Sequence, residues 1–399
     1  MHSFTFSKLL PGASSWRIAL FYFFATFAVE RGSFTFFLNE HGYSATQVGM
    51  LQILFSSSLF LLEIPTGFFA DRYGRVLSLV IGSLFKAGSL LGQFFFVDHG
   101  SAMALCFILN AAGFSFISGS FSAVLFRRMQ EEGNEAQFGR VMSIVQFGGS
   151  LALGMAMVAA GPVLKMNGWL GVYGISALCS LLAAIPVLPL IWREKQTPHE
   201  HTEVPMLHSF WQELKHIFPK ALPFAMVHAA MTPYFVYGSV LLNRLGLAQG
   251  DASGAVGMVE IVGAVFVVLV IGRLGEINMR RIPVLMFLFA SVMIFNAQYS
   301  LYQAILAFAF SNFIVLLFEV VASQYLNGEI RQEQVRASTL SAISFIDMIF
   351  ISSGFAIYGL LSERYSPQVA LSCLALFPLL AALLFWLRRM NRRMPLGVR

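Results

Sequence analysis

The sequence predicts an all-α membrane protein, with twelve transmembrane helices in two pseudo-symmetric bundles of six. Three observations predict it: the composition, the spacing of the apolar stretches, and the placing of the basic residues. Of the 399 residues, 57% are apolar and 12% charged. An ordinary soluble domain has about 45–50% and 25%. Twenty-six basic and 20 acidic side chains cannot coat two or three soluble domains, so a soluble enzyme is excluded.

Apolar stretches of about 20 residues recur along the chain, each long enough to cross ~30 Å of hydrocarbon. The first six lie near 17–38, 46–69, 76–97, 101–125, 140–163 and 169–192. The second six lie near 219–242, 250–272, 282–300, 302–325, 337–360 and 366–388. This gives an N-terminal bundle over 1–192, a cytoplasmic linker over 193–218 and a C-terminal bundle over 219–399. The first stretch is too long for a secretory leader and runs on without a small-residue cleavage site.

An even number of spans puts both termini on one side. With the N-terminus inside, the cytoplasmic loops and tails carry 21 of the 26 Lys and Arg. The opposite loops carry Lys165, Arg244 and Arg364, and Arg31 and Lys86 fall inside spans. This is the positive-inside pattern, and it accounts for the net charge of +6 without nucleic acid. Trp16, Trp169, Trp192 and Trp386 stand at span ends and Trp211 in the linker, as the amphipathic indole favours. A multi-pass protein of a bacterial cytoplasmic membrane, with both termini cytoplasmic, is the expectation.

Cys106, Cys179 and Cys373 are isolated within apolar runs, which favours neither disulfides nor zinc. In the linker, Leu207, Phe210, Trp211, Leu214, Ile217 and Phe218 recur at helical spacing opposite Gln212, Glu213, Lys215 and His216. This predicts a short amphipathic helix on the cytoplasmic surface. His199, His201 and His208 nearby fit no metal-ligand spacing. No metal or cofactor is expected.

The loop after the second span reads Gly67-Phe-Phe-Ala-Asp71-Arg72-Tyr-Gly74-Arg75. It has the form G-x-x-x-D-R-x-G-R, between the second and third spans of a twelve-span chain with a long central loop. In this the sequence closely resembles the major facilitator superfamily. The lead-in Glu63-Ile-Pro65-Thr-Gly67 looks like a bacterial subgroup with many efflux proteins. Gly67 and Gly74 suit close helix approach and a tight turn. Asp71 can face the positive N-terminus of a neighbouring helix, and Arg72 and Arg75 can pair with carboxylates or carbonyls. The resemblance implies that this cluster latches the two halves when the cytoplasmic side is closed.

An internal repeat agrees with two related halves. The second-half loop Gly272-Arg-Leu-Gly-Glu276-Ile-Asn-Met-Arg280 keeps the glycine, the acid four residues on and the base eight residues on. Glu135 to Ser143 likewise mirrors Glu333 to Ser341. There are departures too. The fourth span has no base over Leu109 to Gly113, and Gly154 with Ala160-Gly161-Pro162 only partly matches the glycine series of drug antiporters.

A charge at the bilayer centre costs about 2.5–3.5 kcal/mol on insertion scales, so each one there needs a partner, water or a function. Glu30, Arg31, Lys86, His228, Glu260 and Asp347 fall near mid-depth. Glu63 and Glu319 lie nearer the cytoplasmic ends. Glu30 and Arg31 are adjacent and diverge by about 100°, so one faces the helix bundle and the other the cavity. Because the resemblance makes the first span cavity-lining, Glu30 is expected on the cavity side, as a proton or cation site. His228 titrates near neutrality and is a second proton candidate. Pro65, Pro223 and Pro233 suit spans that bend.

No Gly-Lys dipeptide occurs, so a Walker A loop is absent, and neither HExxH nor GxSxG is present. Together with the resemblance, this implies a secondary transporter rather than an enzyme. It would move a small organic molecule by alternating access, with proton-coupled export first and proton-coupled uptake second. A receptor or scaffold of the same fold is the competing class, and the intact Asp71 and Arg75 argue against it. A monomer in the lipid bilayer is expected, with protons and a cationic or zwitterionic amphiphile as partners and no nucleic acid.

Overall fold

A computed structural model describes residues 13–134, 137–192, 194, 207–274, 282–295, 300–331 and 336–393. Among the described residues there are helices and no strands. The loop with Glu276 and Arg280, the start of the Glu333 repeat, and His199 and His201 lie outside them, as does the His208 side chain.

The first span is interrupted. It comprises α1 (Ala13–Thr26), a 3-10 turn (Val29–Gly32) and α2 (Phe34–Glu40). Then follow α3 (Ala45–Tyr73), α4 (Arg75–Phe95) and α5 (Gly100–Glu131). The 54-residue α6 (Phe138–Ile191) is two spans joined at Gly168, whose φ of 61° turns the chain without a loop. The second half holds α7 (Leu207–Arg244), α8 (Gln249–Leu274), α9 (Ile282–Ile294), α10 (Leu301–Glu329) and α11 (Arg336–Arg364). Its last span is α12 (Pro367–Leu374) followed by α13 (Leu376–Arg393). Ser366 starts α12 by accepting a hydrogen bond from the Val369 N–H at 3.2 Å, with Pro367 in the first turn, where a missing N–H costs nothing.

The twelve expected spans are thus present, with one difference at the linker. The amphipathic segment is no separate helix. It runs straight into the seventh span as α7, through Pro219, Pro223 and Pro233. Its polar side is not simply solvated either: Glu213 is 2% exposed, because its Oε1 accepts a hydrogen bond from the Arg331 N–H at 2.9 Å.

The described chain forms two compact units. One holds 1–41, 54–200 and 248–261, the other 42–53, 201–247 and 262–399. In the first unit Ile18 and Phe21 of α1, Leu79 of α4, Leu125 of α5 and Val141 and Val187 of α6 make a fully buried core. Lipid tails are as apolar as these residues, so close packing rather than water exclusion holds such helices. Gly82 and Gly113 show it. A methyl group added to either would come within 2.8 Å of the other's carbonyl oxygen, so α4 and α5 touch backbone to backbone. In the second unit α11 lies as tightly on α7, since a Cβ on Gly354 would fall 1.9 Å from Ala229 O. Leu61, Phe68, Met166 and Leu306 are more than two-thirds exposed, an apolar coat suited to lipid.

Candidate functional site

The G-x-x-x-D-R-x-G-R loop forms the turn from α3 to α4. Asp71 Oδ1 and Arg75 Nη2 are 3.2 Å apart, both about two-fifths exposed. Exposed pairs of this kind are worth ~0–1 kcal/mol. Asp71 was expected to face a neighbouring helix N-terminus. Instead it pairs across the turn, and Glu194 caps the N-terminus of α4. Glu194 Oε1 accepts from the Arg75 N–H at 2.8 Å and Oε2 from the Val76 N–H at 3.0 Å, where a carboxylate also meets the positive helix end. Gly74 has φ of 112°, so the turn requires glycine, and a Cβ there would also press on the cap, 2.8 Å from Glu194 Oε2. Arg72 lies over the Tyr73 ring at 5.5 Å. Among the described residues nothing stands within 4 Å of a Cβ built on Gly67, so Gly67 makes no close helix approach with them.

The mid-membrane charges of the first unit surround the break in the first span. Thr26 Oγ1 donates back to Tyr22 O at 2.8 Å, a local bond that competes with helix continuation. Past the break, the Val29 and Glu30 N–H groups both donate to Ser176 Oγ, at 2.9 and 3.4 Å. Ser176 in turn donates to Val172 O at 2.9 Å. On the other side of the break, the Lys86 ammonium donates to Ala25 O and stands 4.7 Å from the Phe114 ring centroid. Lys86 is 3% exposed, and the Glu30 carboxylate acts on it electrostatically. A broken helix with its freed backbone groups satisfied by side chains is how irregular backbone persists at membrane depth.

Glu30 is not on the open side. It is 8% exposed, and its Oε2 has no hydrogen-bond partner among the described residues. Arg31 is exposed instead. Of the two, Glu30 is the covered one, with its backbone N–H held by Ser176.

In the second unit His228 on α7 and Asp347 on α11 come together. Nδ1 and Oδ1 are 3.3 Å apart, with the side chains 22% and 24% exposed. The His228 ring also meets Phe318 edge to face at 6.1 Å. The close approach at Gly354, seven residues after Asp347, is what brings α11 near enough. Glu260 on α8 is half-buried and engaged in contacts of its own. Glu63 on α3 is exposed. Glu319 is in α10, but its side chain is outside the described residues.

Two further groups escaped the sequence reading. At the cytoplasmic end of α7, Lys220 pairs with Glu329 at the end of α10, and His216 Nε2 is 2.5 Å from Lys220 Nζ. Burial first, then the charges of Lys220 and Arg331, hold the His216 imidazole below its ordinary value. At the other end, the Thr46 N–H at the start of α3 donates to Glu363 Oε1 at 2.9 Å. Hydrogen bonds from the Ser44 side chain and then the Thr46 backbone keep Glu363 below the usual carboxylate range. Neither contact follows a local motif. His216 and Lys220 are one helical turn apart, which was the only signal on offer.

An all-helical chain with multiple apolar spans, charges at mid-depth and a broken span defines a multi-pass membrane transport protein. The major facilitator superfamily matches residues 17–324, and the chain belongs to that family. Over 107 residues it is 34% identical to YxaM, an uncharacterized MFS-type transporter of Bacillus subtilis (strain 168). That stretch is 27% of this chain and spans only about a quarter (25%) of the relative. Among solved structures, the nucleoside transporter NupG aligns with a TM-score of 0.71 at 14% identity, over 94% of this chain and 98% of its own. A bacterial homolog of the human lysosomal transporter Spinster aligns at 0.70 and 14%, over 98% and 99%. The POT family transporter PepTSo aligns at 0.69 and 14%, also over 98% and 99%. At such identities the likeness establishes the fold, a twelve-span bundle, and nothing about cargo.

Proposed function

We propose that this transporter exports a small organic molecule across the bacterial cytoplasmic membrane by alternating access, in exchange for protons. The His228–Asp347 pair carries the coupling part of the reading. An imidazole and a carboxylate in contact at the expected mid-membrane depth, each about a quarter exposed, form a pair able to hold a proton between them. Glu30, the first candidate from sequence, is less suited because packing covers it. The absence of a phosphate-binding loop anywhere in the sequence leaves ion or substrate gradients as the drive. Export is favoured by the subgroup resemblance at Glu63 to Gly67. Asp71 and Arg75 are assigned to the cytoplasmic latch, on the strength of the motif.

The test is proton movement in proteoliposomes carrying an imposed pH gradient, read with a pH-sensitive dye while a panel of amphiphiles is added. A transported compound should dissipate the gradient in the wild type. Asp347→Asn should slow this by roughly tenfold or more, about one 1.4 kcal/mol step, with the protein still folded. Proton movement unchanged in Asp347→Asn removes the pair from coupling. Protons moving with the compound rather than against it would make the protein an uptake permease.

A further inference from the structure

Arg31 is the one exposed residue between Ala28 and Leu38; the ten others in that stretch are buried. It sits in the 3-10 turn at the break of the first span, half-way along the expected crossing. It makes no side-chain hydrogen bond or ion pair among the described residues. Glu30, its sequence neighbour, is turned into the bundle, and its carboxylate acts electrostatically on both Arg31 and Lys86 without a hydrogen bond to either. The guanidinium stays protonated at any physiological pH and presents five N–H donors in a planar fork matched to carboxylate and phosphate. A charge at this depth is unfavourable by about 2.5–3.5 kcal/mol unless a counter-charge, water or a ligand reaches it.

The backbone around Arg31 is fixed. Ser176 binds the two N–H groups before it, and Gly32 after it is so tightly packed that a Cβ would lie 2.3 Å from Ser253 Oγ. The side chain is therefore presented from a rigid turn, as a recognition group should be. One turn back, Phe23, Phe24 and Phe27 form a half-buried aromatic cluster, with ring centroids 5.7 and 6.2 Å apart. Such rings suit the apolar body of a ligand whose charged end reaches the arginine.

We propose that Arg31 is a substrate-binding residue and that the transported molecule carries an acidic group, carboxylate or phosphate, on an apolar body. This replaces the cationic amphiphile suggested by counting carboxylates in the sequence. It rests on the transporter reading above but not on proton coupling or on direction.

The test uses the full-length protein in nanodiscs with no gradient. The probes are phenylbutyrate and phenyl phosphate, against phenylbutylamine and phenylbutyramide as charge controls. One or both acids should raise the melting temperature and slow the labelling of Arg31 by phenylglyoxal, followed at that site by mass spectrometry. The amine and the amide should do neither. Arg31→Gln should weaken acid binding by about 10- to 100-fold, the range for a charge-assisted contact, and Arg31→Lys should recover part of it. Which acid acts separates a carboxylate cargo from a phosphate one. The proposal is overturned if no acid protects Arg31, if the amine protects equally, or if Arg31→Gln binds the acids as well as the wild type. Should Arg31→Gln fail to fold, the labelling of the wild type and the Arg31→Lys titration still decide. Loss of proton exchange with acid protection intact would sink the export reading and leave this one standing.

Discussion

In the first unit the ammonium of Lys86, 3% exposed, gives its hydrogen bond to a main-chain oxygen, that of Ala25 in the broken first span. In the second unit His228 meets Asp347 side chain to side chain, with both about a quarter exposed. The difference separates two uses of charge at membrane depth. Lys86 substitutes for a missing turn of helix, so its charge belongs to the architecture. The His228–Asp347 contact joins two side chains and no main-chain group.

The largest expected effect tests the architectural side. Lys86→Met should lower the stability of the detergent-solubilised protein by about 3 kcal/mol, since it strands a backbone carbonyl and leaves Glu30 without its nearby cation. Adding Glu30→Gln to Lys86→Met should restore part of that loss in thermal unfolding. A double mutant no more stable than Lys86→Met would show that Glu30 and Lys86 are not coupled. Proton-driven transport that survives Glu30→Gln but not Asp347→Asn would sharpen the contrast, and the opposite result would reverse it.

A middle-sized effect is expected at the cytoplasmic turn. Gly74→Ala should cost about 1–3 kcal/mol, from its positive φ and from the push of its Cβ on the Glu194 cap. Hydrogen exchange at the Arg75 and Val76 amides should rise in the mutant. Unchanged protection there would mean that Glu194 does not hold the end of α4.

The smallest effect concerns His216. Its folded value is lowered, so the folded state prefers the neutral imidazole. The stability this contributes is present above the ordinary histidine value, about 6.5, and is lost as pH falls through the lower folded value. His216→Asn should therefore flatten the decline of melting temperature on acidification just below that pH. An identical pH profile would remove His216 from the Lys220–Glu329 cluster.

The spans and the Gly67–Arg75 loop were legible because each is a local pattern: about 20 apolar residues, or five matched positions within nine. The break after Thr26 was not, for it contains no proline and depends on Ser176 and Lys86 arriving from other helices. The same distance hid Glu194, which caps a helix starting 119 residues earlier. Glu30 and Arg31 differ in exposure, one buried and one exposed. Which of them turned inward was decided by Ser176, and no spacing rule reports that. His228 and Asp347 were each visible as costly groups, yet their meeting follows from the bare backbone contact at Gly354, legible only once α7 and α11 are laid together.

The continuity of α7 from Leu207 to Arg244 puts the cytoplasmic end of the second unit and its half-buried imidazole on one shaft. His228 lies twelve residues beyond His216 on the same shaft, about 18 Å along its axis. Pro219 and Pro223 allow that shaft to flex without uncoupling its ends. Glu213 and Lys220, which hold the end of α10, therefore stand on the same unbroken helix as the imidazole, with no loop between them.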